Sequence, residues 1–171
     1  TNIDRKHAFI STVVWALPTF SSHNAFLREG LGGIQISAVV RVQSGPFYTV
    51  TGNTSTGSRR AQYLGGSQYA KGNRFVLSGH QAQYLNPAAF SAAPNGAFGS
   101  AGVGSVVLPS LQQADTTLSK IFGIGEHVNF KLNADVFNVL NHTNYSSLNT
   151  TATAGAAFGR LNGAYPNPQI Q

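Results

Sequence analysis

Val128 to His142, VNFKLNADVFNVLNH, carries the most regular two-residue period in the chain. On a pleated strand Val128, Phe130, Leu132, Ala134 and Val136 point one way and Asn129, Lys131, Asn133 and Asp135 the other. Wound as a helix, the same residues scatter Lys131, Asn133 and Asp135 among the apolar ones and leave no stripe to bury. The segment therefore reads as a strand with one apolar and one wet side. Two environments fit that pattern: a sheet with one side on a soluble core, or a barrel wall with its apolar side in lipid and its polar side on a watery lumen.

Working outward, Ile34 to Gln43 repeats the rule. Ile34, Ile36, Ala38, Val40 and Val42 fall on one side, Gln35, Ser37, Arg41 and Gln43 on the other, and Val39 breaks the pattern. His7 to Leu17 (HAFISTVVWAL) is rich in β-branched and aromatic residues, stops at Pro18, and sets Phe9, Val13, Trp15 and Leu17 on one side. After Pro109 the alternation returns, with Ala114, Thr116, Leu118 and Lys120 opposed to Asp115, Thr117 and Ser119, ending at Phe122. Gly123 to Glu126 is expected to turn the chain back into the strand at Val128, as a tight hairpin.

Between these strands the period fades. Thr19 to Gly33 reads as a connection with a brief helical turn at Ala25 to Arg28, and Phe47 to Thr51 as a short continuation or a partner across a bend. From Gly52 to about Ser110, Gly, Ser, Asn, Gln and Pro dominate, and a loop of that length is expected to be functional or mobile. Within it Arg74 to Leu77 suggests a small strand, and Asn86 to Phe90 (NPAAF) a turn that buries its aromatic end. Asn144 to Gln171 returns to Gly, Ala, Thr and Asn.

Composition narrows the class. Among 171 residues only 9% are charged, against roughly 25% in ordinary soluble domains. Uncharged surfaces rich in Gly and Asn suit outer-membrane barrels and extracellular fibres. Cysteine is absent, which excludes disulfides and thiolate metal sites. The net charge of +6 is diluted, with Arg5/Lys6 and Arg59/Arg60 as the adjacent pairs, and aromatic residues do not alternate with the cations as in nucleic-acid readers. No nucleic-acid partner is expected.

No catalytic constellation or cofactor site emerges either. Asp4, Glu29, Asp115, Glu126 and Asp135 lie far apart and form no carboxylate pair for acid/base work, and the five histidines include no His-x-x-x-His or His-Glu pair. His142 reads as a strand-end cap. Gly99 to Gly104 (GSAGVG) lacks the Lys-Ser/Thr and the helix of a phosphate loop and reads as a flexible turn. The chain starts at Thr1, contains no methionine and shows no signal peptide, so it reads as a mature product or a piece of something longer. It has no apolar run long enough for a membrane helix.

The order of these pieces resembles the C-terminal part of the TonB-dependent outer-membrane receptors of the Oar-like group, large proteins of Acidobacteria and relatives with a carboxypeptidase-regulatory-like N-terminal domain. The matching residues are Asp4 to Pro18, Gly33 to Phe47, Asn86 to Phe90, Ala114 to Phe122, Asn129 to Tyr145 and Phe158 to Arg160. Phe137 to His142 (FNVLNH), followed by Asn144-Tyr145, is the most specific of them. The resemblance implies an all-β fold: antiparallel strands from the C-terminal part of a transmembrane β-barrel of about twenty-two strands, with long Gly/Ser/Asn-rich loops. It also implies a non-catalytic transporter wall in the bacterial outer membrane, with the rest of the barrel, the TonB system and outer-membrane lipid as partners.

The chain departs from that pattern in lacking the plug domain and most strands, and in stopping at Gln169 to Gln171, where the family's last strand is expected to begin. A few strands cut from a barrel carry two raw edges that pair with other copies. The alternative is therefore a processed β-rich fragment that assembles by edge pairing into an extracellular filament or tube.

As a wall, the chain is expected to line its lumen with Gln35, Ser37, Arg41, Gln43, Asn129, Lys131, Asn133 and Asp135. Ile34, Ile36, Val40, Val42, Val128, Phe130, Leu132 and Val136 are expected to face lipid or a packed sheet. The competing reading, which carries more weight, is that Arg41 and Lys131 simply pair with Asp115 and Asp135 across neighbouring strands, worth about 0.2 to 1 kcal/mol each.

Overall fold

In a computed structural model, the structure describes residues 4–18, 30–54, 57–71, 76–78, 81–124, 128–164 and 169–170. The strands along the chain are β1 (Ala8–Ala16), β2 (Ile34–Gln43), β3 (Phe47–Tyr48), β4 (Thr51–Thr54), β5 (Gly57–Arg60), β6 (Gln62–Tyr63), β7 (Val76–Ser78) and β8 (Gln81–Gln83). They continue as β9 (Phe90–Ser91), β10 (Val106–Val107), β11 (Leu111–Ile124), β12 (Val128–Phe137), β13 (Tyr145–Leu148), β14 (Leu161–Ala164) and β15 (Gln169–Ile170). Two compact units share the chain: Thr1–His7, Ser44–Leu111 and Asn144–Tyr165 form one, and Ala8–Gln43, Gln112–Thr143 and Pro166–Gln171 the other.

The second unit is a five-stranded sheet in the order β1-β2-β11-β12-β15. β1 and β2 are antiparallel from Ala8↔Gln43 to Ala16↔Gln35, and β11 and β12 from Thr116↔Val136 to Ile124↔Val128. The Ile121 N–H donates to the Gly33 carbonyl at 3.2 Å, so the start of β2 lies beside the end of β11 and these two strands also run in opposite directions. β15 pairs with the end of β12 through Val136↔Ile170 and Phe137↔Gln169. The β-branched and aromatic residues of β1 and β2 favour this pleated surface. Gly123 and Ile124, expected in the turn, are still in the ladder opposite Asn129 and Val128, and the rest of the expected turn, 125–126, lies outside the described residues. The helical turn expected at Ala25 to Arg28 also lies outside them.

The first unit holds a core that the period did not announce. Val50, Tyr84, Leu85, Val106 and Leu108 are fully buried and pack with Phe90, Leu148, Phe158 and Leu161. The stretch 52–110, expected as a loop, carries the ladders β4/β5, β6/β9 and β7/β8, while β3 pairs with β10 and β13 with β14. Strands of two to four residues are too short to display an alternation, which is why the sequence reads as loop there. The Asn86 to Phe90 turn matches its reading: Pro87–Ala89 forms a 3-10 turn, the Asn86 side chain accepts from the Ala88 N–H at 3.1 Å, and Phe90 is buried. Phe90 meets Phe158 edge-on with ring centroids 5.8 Å apart. Gly99, in the segment read as a flexible turn, is packed so closely that a Cβ would sit 2.1 Å from the Ala61 carbonyl oxygen.

Candidate functional site: the two sides of the five-stranded sheet

Register sorts the side chains. Across β1 and β2, Phe9, Ser11, Val13 and Trp15 stand opposite Val42, Val40, Ala38 and Ile36. Across β11 and β12, Leu118 stands opposite Ala134 and Phe122 opposite Phe130, their rings 6.3 Å apart. Gly33 lies across from Ile121, so odd-numbered positions of β2 and β11 share a side at that point, and the apolar sides of the two hairpins are one surface.

That surface is not covered. Val128, Phe130 and Leu132 are each more than half exposed, Phe130 and Leu132 at 54%, and Phe9, Val13 and Trp15 are exposed as well. A contiguous apolar surface this size facing water is unfavourable, at about 25 cal/mol per Å² of apolar area. The opposite side is polar and internally bonded. Ser119, only 6% exposed, donates to Asn133 Oδ1 at 2.9 Å, and Thr117 Oγ1 donates to Asp135 Oδ1 at 2.6 Å. On β11 and β12 one side is thus apolar and exposed, and the polar residues of the other are bonded to one another.

Each expected polar residue takes its position on the strands: Gln35, Ser37, Arg41 and Gln43 on β2, and Asn129, Lys131, Asn133 and Asp135 on β12. The expected ion pairs are replaced by other contacts. Asp135 is held by Thr117, and Asp115 accepts from the Asn138 N–H at 2.8 Å and from Gln113 Nε2 at 2.9 Å. Across β1 and within the β11/β12 hairpin, Arg41 stands opposite Ile10 and Lys131 opposite Ile121, neither of them an acid. Among the described residues Arg41 and Lys131, both exposed, have no acidic partner.

The Phe137 to His142 run forms a tight reversal after β12. Asn138 (φ +50°) and Asn141 (φ +49°) adopt the left-handed conformation that Asn tolerates better than most residues. The Asn138 side chain donates to the His142 carbonyl at 3.1 Å, and the Val139 N–H donates to the Ala114 carbonyl at 2.7 Å. His142 thus takes part in the strand end through its carbonyl. Lys120, which the alternation set on the side of Leu118, lies on the apolar side opposite Leu132, with Nζ 4.9 Å over the Phe122 ring and a bond to the Gly30 carbonyl. Its stem covers apolar surface while its charge reaches the sheet end.

No helix among the described residues is long and apolar enough to cross a membrane, and no group of three His, Cys, Asp or Glu among them could hold a metal ion. A family model described as an outer membrane beta barrel domain matches residues 1–171. No curated protein and no solved structure matches the chain. With a sheet that sets an exposed apolar side against a polar one and a match along its whole length, the chain belongs to the outer membrane beta barrel domain family and forms barrel wall in the bacterial outer membrane.

Proposed function

We propose that this wall belongs to a TonB-dependent receptor of the Oar-like group, a non-catalytic transporter whose lumen is lined by the polar side of the five-stranded sheet. The observation that carries the reading is the two-sidedness of β11 and β12, with Phe130 and Leu132 exposed on one side and Ser119 and Asn133 bonded to each other on the other. β11, at 14 residues, extends about 46 Å, and tilted by about 45° it crosses the roughly 30 Å hydrocarbon layer. Five strands cannot enclose a lumen, so the wall is completed by further strands, as in large plugged barrels. The resemblance of Phe137 to His142 and Asn144-Tyr145 to the receptor family supports the finer assignment.

The test uses the outer-membrane protein that contains this chain, probed with the purified periplasmic domain of TonB. Saturable binding is expected, and its absence in detergent and in lipid sinks the receptor assignment.

Edge pairing into a filament is the second reading. β1 exposes large apolar side chains on both sides and ends the sheet among the described residues. The four full-length strands are an even number, which lets β1 of one copy meet, in antiparallel sense, the part of the β12 edge of the next that β15 leaves open, Val128 to Asp135. Electron micrographs of the isolated chain without detergent separate the two readings: long filaments favour self-assembly, their absence the wall.

A further inference from the structure

The polar side of the sheet has an apolar intrusion that neither barrel closure nor lipid explains. Ile10, Val14 and Val39 all lie there, each exposed, although a wet lumen has no use for them. Register places them together: Val39 opposite Thr12, Val14 opposite Ser37, and Ile10 directly opposite Arg41. Directly opposed residues have Cβ atoms about 5 Å apart, so Arg41 borders the apolar strip. The motif recurs on the other hairpin, where exposed Ile121 stands opposite Lys131. Both cations lack an acidic partner among the described residues, because Asp115 and Asp135 are bonded to neutral donors.

We propose that this strip is a binding site for an anionic amphiphile, a single acidic head on a hydrocarbon chain, as the cargo of the passage; the inference rests on the wall reading given above. The Arg41 guanidinium offers a planar fork that suits a carboxylate, and Ile10, Val39 and Val14 give the hydrocarbon a strip about 13 Å long along β2. A few placed polar groups beside a mainly apolar lining is the usual composition of a small-molecule site. Lys131 and Ile121 form a second station. Gly33 lies across from Ile121, and Arg41 is eight residues further along β2, so the stations are about 26 Å apart, too far to hold one head together.

The test is calorimetric titration of dodecanoate, with dodecanol as the uncharged comparison, into the outer-membrane protein containing this chain in lipid nanodiscs. Partition into the lipid is the same for wild type and variants and cancels between them. Saturable dodecanoate binding is expected, about tenfold weaker in Arg41→Gln, largely kept in Arg41→Lys, and weakened by Val39→Ser. Dodecanol is expected to bind wild type and Arg41→Gln alike. Equal dodecanoate affinity in wild type and Arg41→Gln, or no saturable binding, overturns the proposal; the latter is also the outcome if a plug segment fills the strip. Failure of the wall reading is seen separately, in which of Val13 and Val14 contacts lipid.

Discussion

Val13 and Val14 are neighbours on one strand, the same residue type, exposed to 55% and 60%. They differ in side: Val13 stands opposite Ala38 in the middle of the β1/β2 ladder on the apolar surface, and Val14 stands opposite Ser37 on the polar one. If both sides faced water, arginine at either position would change stability by no more than about 0.5 kcal/mol, as at ordinary surface sites. If the apolar side is in hydrocarbon, Val13→Arg places a charge near the bilayer midplane and costs about 2 to 4 kcal/mol, while Val14→Arg on the lumen side stays near zero. The difference between two adjacent variants, about 30-fold or more in the unfolding equilibrium, is therefore a measure of sidedness. Guanidinium unfolding of the barrel from phospholipid vesicles, followed by intrinsic fluorescence, measures both. Equal costs for the two variants, at whatever level, refute the assignment of lipid to the Val13 side.

Other consequences follow from particular contacts. Leu132→Asp sets a carboxylate opposite Lys120, so it is expected to cost less than Leu118→Asp, which faces Ala134; unfolding in vesicles compares them, and the reverse order contradicts the register. Gly99→Ala forces a methyl group to within 2.1 Å of the Ala61 carbonyl oxygen and is expected to destabilise the first unit by about 1 to 3 kcal/mol, seen as faster proteolysis between residues 44 and 111. Leu85→Ala, at a fully buried site, is expected to cost about 2 to 5 kcal/mol in the same assay. Asn138→Ala is expected to be less stable than Asn138→Gly by about 1 kcal/mol, because φ of +50° burdens an L side chain that has no local hydrogen bond; equal denaturation midpoints argue against that conformation.

The long strands were legible because they span enough residues for a period of two to stand out. Val128 to Val136 and Ile34 to Gln43 alternate over nine or ten positions, and the structure forms strands at Val128–Phe137 and Ile34–Gln43. Asn86 to Phe90 was legible for a different reason: Asn before Pro is a local capping signal that needs no partner elsewhere in the chain. The first unit was not, because its ladders are two to four residues long and its core joins Val50 to Leu161 across more than a hundred positions. Within the candidate site, Val39 was visible as an exception to the alternation, but nothing in the sequence marked Ile10 and Val14 as its neighbours.

By itself, then, the sequence determined the strand character of the four long segments, which residues of each share a side, and the low charge that suits a wall in lipid, since period and composition are properties of the chain alone. Pairing decided the rest. Only the register brought Ile10 opposite Arg41 and Lys131 opposite Ile121, and only folding joined Asp135 to Thr117 and Asp115 to the Asn138 backbone. A side chain's partner lies across a strand boundary, and that alignment is set by hydrogen-bonded ladders between segments distant in sequence.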